Sequence, residues 1–274
     1  MLTTTPSDSV TNNQHVDYDP DLYERSVNHA VKSIESANAG SEPFSHFHAT
    51  NIIPDDFYQD LLNNLPDSKY YKPLNIKLWV DAKGNSTRDR LPMTDDEMTG
   101  LPADQYRLWS TLRAVLHSDE VRLAAFYALR QDICARFGVG EDKLHELESH
   151  PKSVMLRDNE SYSIKPHSDG LVRIITMMYY MPSDLSQQDM GTSLYVKKPI
   201  YQWINGKRYR EVKRFPYVPN SIGAFAVSRM GPRTSWHGVE RIGANRGTRH
   251  SIACQFTTEP EDVIYKRQAE RGKY

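Results

Sequence analysis

His167-Ser168-Asp169, His237 and the run Arg249-His250-Ser251 are the residues of this chain whose types and spacing carry chemistry. On a β-strand residues i and i+2 point the same way, so His167 and Asp169 can reach one ion from one strand or its end, with Ser168 turned away. A third donor must come from elsewhere in the fold. His237, bracketed by Trp236 and Gly238 in a short apolar stretch, is suited to it. Two imidazoles and one carboxylate make the facial triad that holds a non-haem Fe(II) and leaves adjacent positions open for a cosubstrate and O2. A planar guanidinium can bind a carboxylate through two parallel N–H bonds, and a hydroxyl two residues on shares its strand face. Arg249 and Ser251 meet both demands. Arg241 has Gly243 at that offset, and Arg246, though followed by Thr248, lies in the turn Ala244-Asn245-Arg246-Gly247.

Other histidine groupings among the ten in the chain fail on geometry or company. His145 and His150 are five apart, which on a helix sets them about 140° apart around the axis. A zinc-protease helix needs the i, i+4 spacing. His46 and His48 share one strand face, yet no third ligand with suitable spacing follows.

The surroundings of the triad are more specific than the triad alone. Ser161-Tyr162-Ser163-Ile164-Lys165-Pro166 leads into it, and Arg173 to Met181 follows as a β-branched and aromatic strand. Gly191-Thr192-Ser193-Leu194-Tyr195 comes next, then Ser235-Trp236-His237-Gly238-Val239 and Arg249-His250-Ser251-Ile252-Ala253. In this order the segments resemble the Fe(II)/2-oxoglutarate-dependent dioxygenase superfamily, especially its prolyl-hydroxylase-like branch, well over residues 150–258 and loosely over 43–66. The resemblance implies a double-stranded β-helix, with His167, Asp169 and His237 as catalytic metal ligands. It implies 2-oxoglutarate as cosubstrate, held by Arg249 and Ser251 with Tyr180 as a further donor and Thr176 on the same strand face. Fe(II), O2 and a supporting role for ascorbate come with it, as do the products succinate and CO2. Asp rather than Gly or Ala at position 169 implies hydroxylation rather than halogenation.

The rest of the chain must position these groups. At 274 residues it can bury a substantial core. Thirty-four Lys and Arg against thirty-five Asp and Glu leave a net charge of -1, which argues against a nucleic-acid binder. No apolar stretch approaches the roughly 20 residues that span a bilayer, and the start lacks a leader pattern. The expectation is a cytoplasmic protein, with Cys134 and Cys254 as reduced thiols.

Residues 1–20 read as a loose tail and 21–274 as one domain: helical support and lid over 21–149, jelly-roll catalytic core over 150–258, and a C-terminal tail over 259–274. The support begins with a helix capped at Asp21, carrying Leu22, Val27, Ala30, Val31 and Ile34 and ended by Gly40. A strand at 43–48 and a helix from Pro54 to Pro66 follow. The segment 68–102 reads as loops with a short strand at 76–80, and helices are expected at 104–117 and 118–137. From Lys152 on, short strands are expected at 152–157, 172–181, 192–197, 200–204, 207–213, 222–227, 234–239 and 247–257. Helices first and many short strands later give an α+β chain, a jelly-roll (cupin-like) core flanked by N-terminal helices.

Arg157, Tyr162 and Arg229 are the expected substrate contacts, with Lys165 behind them. The basic stretch Lys197 to Phe215, turning at Asn205-Gly206, is either a solvated ribbon or an arm over the site that attracts an anionic substrate or acidic partner. The expected reaction is hydroxylation of an unactivated C–H bond in a small polar metabolite, an amino acid or natural-product intermediate. A peptidyl hydroxylase of the prolyl type and a non-catalytic metal-binding sensor are the alternatives. The oligomeric state is open, because an apolar helix stripe serves a core and a dimer face equally.

Overall fold

A computed structural model describes residues 18–74, 79–81, 83–203 and 208–270. Most of the expected loose tail, most of the strand at 76–80 and the Asn205-Gly206 turn lie outside the described residues. Two antiparallel sheets face each other. Eight strands pass between them in the jelly-roll manner, alternating except for the consecutive pair β7 and β8: β4 (His150–Asp158), β5 (Ile164–His167), β6 (Arg173–Tyr180), β7 (Ser193–Lys197), β8 (Tyr209–Arg214), β9 (Ser221–Ala226), β10 (Trp236–Val239) and β11 (Arg249–Thr257). The larger sheet contains the order β9-β6-β11-β4 and the smaller one β5-β10-β7-β8. This is the expected double-stranded β-helix.

The N-terminal part does more than support. β1 (His46–Thr50) pairs with β9, while β2 (Lys72–Pro73) and β3 (Arg88–Pro92) extend the sheet beyond β4, so seven strands lie side by side. β3 falls where only loops were expected. Its Arg-Asp-Arg run has no alternating apolar pattern, and pairing with β4 decides its conformation.

The larger sheet is two-faced by its period of two. Ile175, Met177 and Tyr179 of β6, with Ile252, Cys254 and Phe256 of β11, pack outward with the buried stripes of the helices. Those stripes come from α1 (Pro20–Glu35), α2 (Asp55–Asn63), α4 (Ala103–His117), α5 (Asp119–Ala128) and α6 (Arg130–Phe137), with the short α3 (Asp95–Met98) preceding α4. The inward residues Tyr180, Leu194, Phe225 and Val239 form a second core between the sheets. Cys134 and Cys254 are free thiols, as expected.

Several boundaries differ for identifiable reasons. The cap of α1 is Asp19, whose carboxylate accepts from the Leu22 N–H at 3.1 Å, with Pro20 in the first turn. Gly40 does not end that helix but bridges to His46. The expected helix at 118–137 breaks at Leu129, and α6 ends at Gly138 with φ 67°, a conformation glycine adopts without Cβ strain. The strand at 200–204 is replaced by a 3-10 turn, Ile200–Gln202. The C-terminal tail contains α7 (Glu261–Glu270). Among the described residues no helix is long and apolar enough to cross a membrane.

Candidate metal and ligand site

β5 and β10 are neighbours in the smaller sheet, and their register places His167 opposite His237. The ring centroids are 4.2 Å apart. Asp169 follows two residues past His167, just beyond the end of β5, and its carboxylate turns back between the rings. Each Asp169 oxygen lies 3.9 Å from an imidazole Nε2, Oδ1 from His167 and Oδ2 from His237. One donor atom from each residue falls within 4.8 Å of the others, and this is the one such group among the described residues.

Backbone carbonyls orient both rings. The Nδ1 of His167 is 3.1 Å from the Lys165 carbonyl, and that of His237 is 3.0 Å from the Ser235 carbonyl. A carbonyl only accepts, so each Nδ1 carries the proton and donates it, which turns the Nε2 lone pair toward the shared centre. Burial, only partly offset by Asp169, holds the His237 imidazole below its usual range, in the neutral form that a metal requires. Asp169 is shifted the other way. Burial raises its carboxyl, but His237, Arg173 and the Thr176 hydroxyl outweigh that and hold it below the ordinary carboxylate value. Arg173 Nη1 donates to Oδ1 at 3.0 Å and Thr176 Oγ1 to Oδ2 at 2.8 Å. Thr176, which also lines the adjoining cavity, thus holds the Asp169 carboxylate in place.

Close strand approach is a requirement here. A Cβ on Gly238 would lie 2.5 Å from the Ile164 carbonyl oxygen, backbone that cannot move aside. Gly238→Ala is therefore expected to push β5 from β10 and separate His167 from His237. Metal affinity should fall on the order of 10-fold or more, the scale seen when supporting groups around a metal are disturbed. Calorimetric titration with Fe(II) under anaerobic conditions measures it, and wild-type affinity in the variant would refute the steric argument.

The triad opens on a cavity of about 190 Å³ between the sheets. Trp79, Tyr162, Ile164, Phe225 and Val239 give it apolar walls, and Arg88 and Arg173 give it charge. Tyr162, an expected substrate contact, does line this space. Arg157 does not: it alternates with the inward Leu156 and Asp158 on β4, and its guanidinium lies 3.8 Å from Asp89 and over the Tyr71 ring. Arg229 is on the exterior beside the triad, donating to the Ser168 carbonyl at 3.3 Å. Among the described residues the basic arm also lines no part of the cavity.

Arg249 and Ser251 come together on β11, with the guanidinium donating to the Ser251 hydroxyl at 3.3 Å. Both are buried behind the cavity wall. Arg249 also donates to Asp158 at 2.6 Å and to the Met190 carbonyl at 2.8 Å, and lies over the rings of Tyr180 and Tyr217. Tyr180 donates its hydroxyl proton to Thr192 at 2.8 Å. Sequence reasoning missed Asp158 and Arg88. Asp158 stands one residue past the expected strand end, and nothing local in Ser86-Thr87-Arg88-Asp89-Arg90 distinguishes the inward charge from the outward ones.

No protein-family model matches the sequence, and no curated protein matches it. Solved structures do. A Pseudomonas putida prolyl-4-hydroxylase is 15% identical, with TM-score 0.45 over 84% of this chain and 98% of that one. A prolyl hydroxylase from Trichoplax adhaerens, in complex with a hypoxia-inducible-factor peptide fragment, is 15% identical, with TM-score 0.47 over 87% of this chain and 91% of that one. HygX from Streptomyces hygroscopicus, with nickel and 2-oxoglutarate bound, is 10% identical, with TM-score 0.46 over 77% of this chain and 82% of that one. Two prolyl hydroxylases and a structure holding nickel and 2-oxoglutarate are thus among those this chain is similar to.

Proposed function

We propose that the protein is an Fe(II)- and 2-oxoglutarate-dependent dioxygenase that hydroxylates an unactivated C–H bond of a small polar metabolite. The observation that carries this reading is the His167, Asp169 and His237 group, opening on a cavity between the sheets with buried arginines at its side. The donor set fits the metal: two imidazoles with Nε2 free and one ionised carboxylate compensate Fe(II) and leave positions open. Bound there with 2-oxoglutarate and O2, Fe(II) supplies oxidative decarboxylation to succinate and CO2 coupled to insertion of one oxygen atom into the substrate.

The chain's own residues do the rest. Lys165 and Ser235 carbonyls lock the two imidazoles, and Arg173 and Thr176 lock the carboxylate, so the triad needs little reorganisation to take the ion. Trp79, Phe225 and Ile164 give the space beside the triad apolar walls, which favour the carbon skeleton of a substrate. Burial pushes the Tyr162 phenol above its usual range, so the ring that lines the cavity stays protonated. The modest volume, about 190 Å³, favours a metabolite over a peptide chain.

Succinate release from 2-oxoglutarate is the test, with purified protein, Fe(II), ascorbate and O2, with and without pools of small metabolites. Turnover that rises with one pool and is lost in His237→Ala is the expected result. No release in any pool, and no visible chelate band on anaerobic addition of 2-oxoglutarate to the Fe(II) protein, would refute the proposal.

A further inference from the structure

The metal ligands arrive on two separate stretches of chain, and one short helix outside the jelly-roll touches both. α5 stops at Leu129 and α6 begins at Arg130, with Asp132 and Arg136 four residues apart on one face of the new helix. Arg136 Nη1 donates to two carbonyls, that of Arg173 at 2.6 Å and that of Val227 at 2.8 Å, while Nη2 donates to the Leu171 carbonyl. Leu171 and Arg173 belong to the stretch that follows Asp169, and Val227 to the stretch that leads from β9 to His237. One guanidinium nitrogen is therefore shared by the two ligand-bearing stretches.

Asp132 holds the second stretch again. Its two oxygens accept from Arg233 Nε at 2.6 Å and Nη2 at 2.9 Å, and its carboxylate also accepts the Ser45 N–H. Beyond Arg233 the chain closes on itself. The Ser235 N–H donates to the Ser228 carbonyl at 2.9 Å, and the Ser228 N–H to the Ser235 hydroxyl at 3.1 Å. The Ser235 carbonyl is the acceptor that orients the His237 ring. Arg136 is half-buried and meets carbonyl oxygens and the Phe137 ring, with no carboxylate at ion-pair distance among the described residues. Burial lowers its guanidinium from the ordinary value, with no anion to offset it. A desolvated cation without a counter-ion contributes little to stability. What its planar fork does supply is geometry, because three carbonyls from two stretches are fixed on one rigid group.

We infer that α6 is the positioning element of the triad, with Arg136 setting the separation of the His167–Asp169 stretch from the His237 stretch and Asp132 fixing the approach to His237 through Arg233. The inference rests on the oxygenase reading of the triad. Neither residue lines the cavity; both act through the backbone of the ligating segments.

The experiment titrates metal-free protein with Co(II), whose visible bands report the geometry of its ligands. Wild type is compared with Arg136→Gln, Arg136→Lys, Asp132→Asn and Ile133→Val, and thermal unfolding without metal is recorded for each. Ile133 is the control, buried in the same helix against the outer core, so its shortening costs stability without breaking a hydrogen bond to either stretch. Co(II) affinity is expected to fall on the order of 10-fold in Arg136→Gln and in Asp132→Asn, with an altered visible spectrum, and by less in Arg136→Lys, which keeps the charge without the fork. Ile133→Val should keep the wild-type spectrum and affinity while its unfolding midpoint drops. Arg136→Gln with wild-type affinity and spectrum overturns the inference. So does an equal loss of affinity in Ile133→Val at the same fall in midpoint, which marks a purely structural role. If Arg136→Gln does not fold, Asp132→Asn is read in its place against the same two criteria. A wild type that binds no Co(II) removes the triad and the oxygenase reading with it, whereas failure confined to the variants leaves that reading standing.

Discussion

Asp169→Ala is expected to lower affinity for Fe(II) by more than ~100-fold, beyond the ~10–100-fold that follows loss of an outer supporting group. The substitution removes the one anionic donor of the triad and the charge that compensates the cation. It also strips Arg173 and Thr176 of the acceptor they share and leaves the guanidinium 3.0 Å from where that acceptor was, now repelling the metal. A ligand present at a hundred times its dissociation constant stabilises the folded state by about 2.7 kcal/mol, so metal should raise the unfolding midpoint of wild type and leave that of the variant unmoved. Unfolding with and without Fe(II), beside anaerobic calorimetry, measures both effects. A variant still stabilised by the metal would mean that the two histidines alone form the site, or that the metal binds elsewhere.

Asp158→Ala should produce the largest loss of stability of any single change at the site. Arg249 is wholly buried and the Arg88 side chain nearly so, and the one carboxylate between them is inaccessible to solvent. Without it two guanidiniums face each other across β4 with no anion. Breaking a buried ion pair from one side costs about 3–5 kcal/mol because the abandoned charge stays desolvated. In a chain of this size that corresponds to a fall in Tm of roughly 10 °C. Replacing the buried charges together by apolar groups of similar volume should restore part of the loss, since such exchanges are often neutral. Urea denaturation of Asp158→Ala and of Asp158→Leu with Arg88→Met and Arg249→Met tests the argument. A midpoint for Asp158→Ala equal to wild type would show that water enters the cluster and screens it.

These two residues divide neatly in how far they could be read from the chain. Asp169 is legible because its partner is two residues away, and the strand period alone puts both side chains on one side. The jelly-roll strands were legible for a related reason: β6 and β11 alternate or run apolar over eight or nine residues, which local pattern records. Asp158 and Arg88 were not. They are 70 residues apart, and each looks like any surface charge in its own segment.

The order and types of the ligating residues, most of the strands around them and the helix stripes that cover the larger sheet were thus determined by sequence alone, whereas β5, the four-residue strand that carries His167, was not among the expected strands. The legible features depend on contacts within a few residues or on a period that the chain repeats. Tertiary structure alone decided which charges face inward, because that choice depends on which strands become neighbours. Pairing of β3 with β4 turned a polar segment into a wall of the cavity. Pairing of β4 with β11 placed Asp158 between two arginines, with Arg88 on the cavity wall and Arg249 buried behind it.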